Sequence, residues 1–197
     1  MLKIATAVGF RKSAAAQEVR MRWAELEAER PRLAGLGRRR LIEPGVVLVA
    51  TIRRDGSPRV SPVEPLLWRG DLWLSMLWGS RKAADILRDD RVLVHSIVTD
   101  RDGGTGEFKV RGRAVTERDP GVQEAYAQTV ARELGWEPRP GRFHLFRVDV
   151  GDVTFIRYDS ASGDQFVARW PAGEEFVRRG TSATSVGPPE PHRDLLG

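Results

Sequence analysis

The feature that most constrains this chain is a succession of short strand-like segments, each closed by a turn signal, that begins near residue 46. The first of them, Val46–Ile52, is a continuous run of apolar and mostly β-branched residues, which is typical of a strand covered on both faces. The pair Asp55-Gly56 follows it and favours a tight hairpin. Strands that return directly after short turns predict an antiparallel sheet.

The later segments continue this pattern and leave room for only two helices among the strands. We predict further strands at residues 59–67, 72–76, 91–98, 107–117, 142–150, 153–159 and 165–170. A short helix is predicted at 80–89, and a longer one from Asp119-Pro120 to about Leu134, because an aspartate cap followed by proline is typical of a helix start. This order predicts a mainly β fold with peripheral helices, an antiparallel and Greek-key-like barrel, rather than a βαβ fold.

Both ends of the chain differ from this pattern. Residues 1–20 show no amphipathic period, and residues 179–197 are rich in Ser, Thr, Gly and Pro, which bury too little surface to order a segment. We therefore expect a disordered leader at 1–20, one domain at 21–178 and a disordered tail at 179–197. Two short helices, at 21–30 and 33–41, are predicted before the first strand, separated by Pro31.

Composition excludes several functional classes. The net charge of +5 arises within residues 1–44, which hold ten basic and five acidic side chains, whereas residues 45–197 hold 22 of each. A nucleic-acid-binding groove needs positive charge on the folded body, so we expect no nucleic-acid partner. No apolar stretch is long enough for a membrane helix, so no membrane partner is expected either. The chain has no cysteine, which fits a reducing, cytoplasmic compartment, and its three scattered histidines predict no metal site.

The segment Gly79-Ser80-Arg81-Lys82 carries the strongest functional signal. Ser80 is placed to cap the helix at 80–89, so that Arg81 and Lys82 fall in its first turn. Two cations are unfavourable there because the helix N-terminus already carries partial positive charge. A bound anion would reverse the sign of that effect, since backbone N–H groups and both cations would converge on it. The alternative is a pair of solvated surface cations.

Three segments of the chain resemble a known family. They are the hairpin from Ala50 to Val63, the turn Gly79-Ser80-Arg81-Lys82-Ala83 and the triplet Asp90-Arg91-Val92. Together they resemble the pyridoxamine 5'-phosphate oxidase-like superfamily of FMN-binding split β-barrels, in its flavin or deazaflavin oxidoreductase branch. The resemblance covers about residues 45–117 and, more loosely, the strands to Tyr158. It implies a homodimer that holds FMN, or the deazaflavin coenzyme F-420, between its subunits.

The resemblance also implies a set of cofactor-binding residues. Arg81 and Lys82 would hold the cofactor phosphate after the cap at Ser80, and Ser75 and Met76 would line the same pocket. Four residues of the second strand would run beneath the flavin ring, and they are Arg59, Val60, Ser61 and Pro62. Glu107 stands where the oxidases themselves carry a polar amide, so its role is open. No side chain of this chain is assigned to catalysis, because a flavin supplies the electron chemistry itself.

One departure from the family bears on the substrate. The true oxidases carry a histidine-bearing signature near the C-terminus, whereas the corresponding segment here, 165–171, has no histidine. We therefore expect no oxidation of vitamin B6 phosphates. The leading hypothesis is an FMN- or deazaflavin-dependent oxidoreductase that passes a hydride to or from a small conjugated substrate. The alternative is a non-catalytic protein that binds or sequesters a flavin or haem.

Overall fold

A computed structural model describes residues 20–139, 141–192 and 195 of the chain, so all but the last residue of the leader predicted at 1–20 lies outside the described residues. The helices are α1 Trp23–Glu29, α2 Pro31–Gly37, which continues into a π-helical turn at Arg38–Ile42, α3 Arg81–Arg88 and α4 Pro120–Leu134. The strands are β1 Val47–Ile52, β2 Pro58–Val63, β3 Pro65–Trp68, β4 Asp71–Leu77, β5 Arg91–His95, β6 Glu107–Glu117, β7 Phe143–Tyr158, β8 Gln165–Trp170, β9 Glu175–Ser182 and β10 Ser185–Pro191.

The sheet is antiparallel throughout and closes into a barrel through one segment that changes partners. In that segment β2 pairs with β1 and β3 pairs with β4, and the two strands are separated only by Glu64. The ring is completed because β4 pairs with β7, β7 with β6, β6 with β5, and β5 with β1. The predicted continuous strand at 59–67 is therefore divided at a corner, where Pro65 offers no N–H for a ladder. The predicted fold class, a mainly β barrel with peripheral helices, is confirmed.

Strand β7 is one long bent strand, not the two strands predicted at 142–150 and 153–159. Its register against β6 shifts at Arg111/Gly112, which is a β-bulge. At that point a Cβ on Gly112 would lie 2.1 Å from the carbonyl oxygen of Asp149, so only glycine fits. The two predicted strands leave a gap at residues 151 and 152, where Gly151 suggests a strand boundary. The bulge bends the strand instead of ending it there.

The first strand also differs from its prediction. Its burial alternates, with Val47 and Val49 fully inside the barrel and Leu48 and Ala50 only half-buried on the outer face. We predicted a strand covered on both faces, and in a single subunit only one face is covered. The barrel interior is closed at one end by α1 and α2, where Trp23, Leu26 and Leu33 are buried in the main core. No helix among the described residues has the length and apolar character needed to cross a bilayer.

The predicted disordered tail is wrong for the part of it that the structure describes. Residues 175–191 form the hairpin of β9 and β10, and β9 extends the sheet beyond β8. Val177 is buried, Leu195 is 7% exposed within the main core, and its backbone N–H donates to Glu175. This tail is rich in Ser, Thr, Gly and Pro, but the sheet edge supplies backbone partners that composition does not reveal.

This hairpin makes the C-terminal segment part of the fold. A chain that ends at Arg179 loses β10, its pairing with β9 and the buried Leu195. We expect its Tm to fall by several degrees, since about 1 kcal/mol corresponds to roughly 2–4 °C in a chain of this size. Thermal unfolding of the full-length and shortened chains checks this. An unchanged Tm would show that the segment after Arg179 does not contribute to stability.

Candidate functional site

The turn that leads into α3 has the local geometry that the sequence predicted. Gly79 has a φ of +73°, which a residue with a Cβ rarely adopts, so it can turn the chain sharply after β4. Ser80 then takes an extended conformation, and its hydroxyl accepts a hydrogen bond from the backbone N–H of Ala83 at 3.4 Å. Ser80 is thus the N-cap, and Arg81 and Lys82 occupy the first turn as predicted.

Lys82 is half-buried beside a cavity. Its ammonium donates to the carbonyl oxygen of Pro62 at 2.8 Å, and no carboxylate pairs with it among the described residues. Burial lowers the pKa of Lys82 because a desolvated ammonium is less stable in its charged form. Desolvation of the Lys82 ammonium has a free-energy cost that no carboxylate among the described residues offsets, and a bound anionic ligand would offset it.

The cavity beside Lys82, which we call the ring cavity, has a volume of about 680 Å³. One wall consists of the barrel edge, with Pro62, Glu64, Ser75 and Met76. Described residues of the connection from α4 to β7 also line the cavity, among them Trp136, which is 38% exposed. Most of the remaining lining is apolar, and the lining residues not yet named are Val46, Val63, Leu77, Glu137, Pro138, Arg139, Arg142 and Phe143.

Arg81 points to a different cavity. That cavity, which we call the arginine cleft, has a volume of about 420 Å³ and lies between α3 and the β1–β2 hairpin. Its lining consists of Arg53, Arg54, Asp55, Arg59, Arg81, Ala84 and Asp85. The two first-turn cations therefore line different cavities, whereas the sequence predicts that both converge on one point.

Arg59 is held by a buried carboxylate. Its Nε donates to Asp85 at 2.6 Å, and Asp85 also accepts from Thr51 at 3.2 Å and from Arg88 at 3.4 Å. Burial raises the pKa of Asp85, but the hydrogen bonds from Arg59 and Arg88 and the charge of Arg59 outweigh this, so the pKa lies below its ordinary value. The network ties α3 to the first hairpin and so positions both cavities.

Ser75 is positioned from the other side by helix α4. It points toward a second, aromatic cluster that includes Trp73, Tyr126 and Phe143. Burial raises the pKa of Tyr126 to about 12, while a hydrogen bond with Ser75 acts in the opposite direction and the negative charge of Glu64 adds to the increase. Ser75 and Glu64, which both line the ring cavity, therefore lie near the buried phenol of Tyr126.

The structure brings together only part of the predicted set. Pro62, Ser75, Met76 and Lys82 line the ring cavity, and Arg59 and Arg81 line the arginine cleft. Val60 is 59% exposed on the outer face of β2, and Ser61 lines neither cavity. Glu107 lies farther away on β6, where it pairs with Lys109 at 2.6 Å and contacts His95 at 3.1 Å.

Several residues of the site were not among those predicted. Glu64 and Trp136 line the ring cavity from two separate segments, Tyr126 is the buried neighbour of Ser75, and Asp85 organises the arginine cleft. The sequence holds only a weak signal for the role of Asp85, which is an acidic residue in a helix that also carries the cations Arg81, Lys82 and Arg88. The meeting of Glu64 with Tyr126 depends on the packing of α4 on β4, for which the local sequence holds no signal.

A third cavity lies beside Trp78, in the turn that precedes α3. There Trp78, which is 59% exposed, stacks on His144 with ring centroids 4.7 Å apart and planes 6° apart. The cavity has a volume of about 480 Å³, and Leu87 and Gln123 also line it. Burial lowers the pKa of His144 because the imidazolium is desolvated there.

This histidine makes stability depend on pH in a definite direction. Its pKa in the folded state lies below the unfolded value of about 6.5, so the unfolded chain binds more protons between the two values. The free energy of unfolding should therefore fall as pH drops below about 6.5, and the His144→Gln variant should lose this part of the slope. Urea unfolding at a series of pH values checks it, and identical slopes for both proteins would contradict it.

The ring cavity fits a flavin-type cofactor in size and in chemistry. Its volume is within the range of small-molecule sites, its lining is largely apolar, and it offers one desolvated cation and one positioned hydroxyl. Within the described residues no group of three or more His, Cys, Asp or Glu side chains forms a metal site. The donor set therefore suits a planar organic molecule with an anionic end.

Comparisons with known proteins agree with the fold. A family model described as pyridoxamine 5'-phosphate oxidase matches residues 37–157, which is well over half of the chain. Among solved structures, a protein related to general stress protein 26 of B. subtilis, from Clostridium acetobutylicum, matches with a TM-score of 0.50 and 12% identity over 76% of this chain and 97% of that one. Its description places it in the pyridoxinephosphate oxidase family.

Two further solved structures are similar to the chain. A nimc/nima family protein from Clostridium acetobutylicum has a TM-score of 0.50 and 17% identity over 64% of this chain and 83% of that one. A structure described as an F-420 reductase has a TM-score of 0.45 and 20% identity over 59% of this chain and 94% of that one. No curated protein sequence matches the chain. At these identities the two matches with a TM-score of 0.50 establish the fold and not the activity.

Proposed function

The chain belongs to the pyridoxamine 5'-phosphate oxidase family, and from that premise we propose that it is an oxidoreductase that uses FMN or the deazaflavin coenzyme F-420. The substrate would be a small conjugated molecule that gives or accepts a hydride. The observation that carries the proposal is Lys82, a desolvated cation with no carboxylate partner among the described residues, at the edge of a largely apolar cavity. Such a cation favours an anion-bearing ligand.

The residues of the chain would hold and orient the cofactor. Lys82 would bind its phosphate, with Arg81 and Arg59 adding positive charge from the arginine cleft. Ser75 and Met76 would contact its ring, and Pro62 would lie along the edge of it. When bound, the cofactor supplies the hydride chemistry, so the protein contributes position, charge and exclusion of water.

We further propose that the cofactor lies between two copies of the chain. The outer face of the sheet has apolar rows that the described part of the chain leaves uncovered, in which Val60 lies opposite Ala50 and Ala50 opposite Leu93. Val60 is 59% exposed, and the other two are half-buried. A second copy would cover this face, and twofold dimers are the commonest assembly.

The dimer has a direct test. Light scattering should give a mass of about twice the 22.0 kDa of one chain. The Val60→Asp variant, which places a charge in the apolar row, should shift the mass toward that of one chain and weaken cofactor binding with it. A wild-type mass near that of a single chain would contradict both the dimer and a cofactor site between subunits.

The rival is a protein that binds a flavin or haem without turnover, and reoxidation separates the two. The protein is loaded with FMN or with F-420, the cofactor is reduced, and its reoxidation is followed with a panel of quinone, nitroaromatic and unsaturated carbonyl acceptors. An oxidoreductase accelerates reoxidation with at least one acceptor over free cofactor, whereas a binder does not. Pyridoxine 5'-phosphate serves as a further arm and should not be oxidised.

The cytoplasmic location expected from the sequence stays a prediction.

A further inference from the structure

Three aromatic rings form a series that leads from the barrel core to the surface beside the third cavity. Phe146 is fully buried in the main core, and the ring of His144 lies near it with centroids 6.2 Å apart and planes 18° apart. Trp78 stacks in turn on His144 at 4.7 Å and 6°, and it is 59% exposed. Because a ring has two faces and His144 is the one ring stacked on Trp78 among the described residues, the indole retains a face that can accept another ring.

The surroundings of Trp78 distinguish it from an isolated tryptophan at a surface. Leu87, which is 48% exposed, lines the third cavity with Trp78, as do the buried residues Phe143 and Leu145. A single exposed apolar side chain needs no explanation, whereas a group of them around a concavity is typical of a binding site. The volume of about 480 Å³ is within the range of small-molecule sites.

The charges around this cavity are balanced. Its described lining includes one acid, Glu117, and one permanent cation, Arg118. The Glu117 carboxylate already accepts a hydrogen bond from the backbone N–H of Asp119 at 2.8 Å. Burial lowers the pKa of His144, which favours its neutral form, and Gln123 adds an uncharged polar group. The lining therefore favours an uncharged ligand, since an ion would lose water without gaining an opposite net charge.

The third cavity is separate from the ring cavity, although the two share a wall. Leu77 and Trp78 are adjacent in the chain, and the first lines the ring cavity while the second lines the third cavity. Phe143, which pairs with Leu77 across the sheet, lines both cavities. The end of β4 and the beginning of β7 thus form a partition, and a ligand beside Trp78 would lie outside the cavity assigned above to the cofactor.

We propose that the third cavity is a second small-molecule site, which takes a flat, uncharged aromatic molecule that stacks on the free face of Trp78 and so extends the series of rings. Stacked aromatic pairs gain free energy beyond the burial of apolar area, so this site prefers an aromatic ring system to a saturated one of similar size. The site does not depend on which cofactor the ring cavity holds, or on whether the protein turns over.

Two probes of similar size test the preference for a flat ring. 2-Naphthol is aromatic, whereas decahydro-2-naphthol carries the same hydroxyl group on a puckered, saturated skeleton. Their dissociation constants are measured by calorimetry on the full-length wild type and on Trp78→Leu, which keeps an apolar side chain but removes the ring. The ratio that favours 2-naphthol should be about two- to tenfold larger in the wild type, and Trp78→Phe should retain most of it. Added FMN should leave the ratio unchanged.

The matched control is the exposed tryptophan of the other cavity. Trp136→Leu should keep the wild-type ratio, because Trp136 lines the ring cavity and not the third cavity. The proposal is wrong if 2-naphthol does not bind, if Trp78→Leu keeps the wild-type ratio, or if Trp136→Leu loses it. Light scattering adds an independent check, since Trp78→Leu should have the wild-type mass. A lower mass would overturn the proposal, because a second copy of the chain would then cover Trp78.

Discussion

Replacing Lys82 with alanine is expected to weaken the binding of FMN by about ten- to a hundredfold, which corresponds to about 1.5–3 kcal/mol for a hydrogen bond to a charged group. The ammonium is half-buried and donates only to the Pro62 carbonyl, so it is free of any carboxylate that would compete with a phosphate within the described residues. Because the same cation is unfavourable at a helix N-terminus, its loss should leave the stability of the cofactor-free protein unchanged or slightly higher.

The comparison of cofactors makes this result specific. Riboflavin lacks the phosphate, so its affinity should change little in Lys82→Ala. Arg81→Ala should also weaken FMN binding, by a smaller factor because Arg81 is exposed and lines a different cavity. Arg132→Ala, which removes a cation that is 68% exposed on α4, is the matched control and should have no effect. Fluorescence titration checks all four proteins. Equal FMN affinity in all of them would show that Arg81 and Lys82 are surface charges with no part in FMN binding.

Replacing Asp85 with alanine is expected to destabilise the protein by about 2–4 kcal/mol, because removal of one partner leaves a largely buried charge without compensation. Arg59 and Asp85 are only 21% and 7% exposed, and Arg88 and Thr51 lose the same acceptor. The network also fixes α3 against β2. FMN binding should therefore weaken as well, although Asp85 is not expected to contact the cofactor.

The control for this variant is an ion pair of similar chemistry on the surface. Asp152 pairs with Arg111, whose side chain is 71% exposed, and Asp152→Ala should cost less than about 1 kcal/mol. Urea unfolding of the two variants and the wild type gives the difference in the free energy of unfolding. If Asp85→Ala is as mild as Asp152→Ala, the buried network does not hold α3 in place.

The sequence predicted those elements whose ends are marked locally. Strand β6 and helix α4 begin and end as predicted, because alternation defines the first, and Asp119 and Gly135 cap the second. The division of 59–67 at Glu64 and the continuity of β7 through its bulge depend on which strands lie alongside, so alternation and turn residues alone could not reveal them. The C-terminal hairpin was missed for the same reason.

The candidate site, too, was predicted where its residues are adjacent in sequence and missed where it depends on contacts between distant segments. The cap at Ser80 and the two cations after it are adjacent in sequence, and a helix start can be recognised from five residues. The separation of Arg81 from Lys82 follows from their directions around the helix relative to β2, which the motif does not specify. Tyr126 lies beside Ser75 only because α4 packs on Trp73 and Phe143, a contact between segments far apart in the chain.

The central claim is that the ring cavity holds a flavin-type cofactor, and the visible absorption spectrum tests it most directly. The full-length protein is titrated with FMN and, separately, with F-420, and the spectrum of the bound cofactor is recorded after removal of the free cofactor. We predict saturable binding of at least one of them at one cofactor per chain, with a shifted absorption band from the apolar cavity. A protein that retains neither cofactor at saturating concentrations would contradict the account.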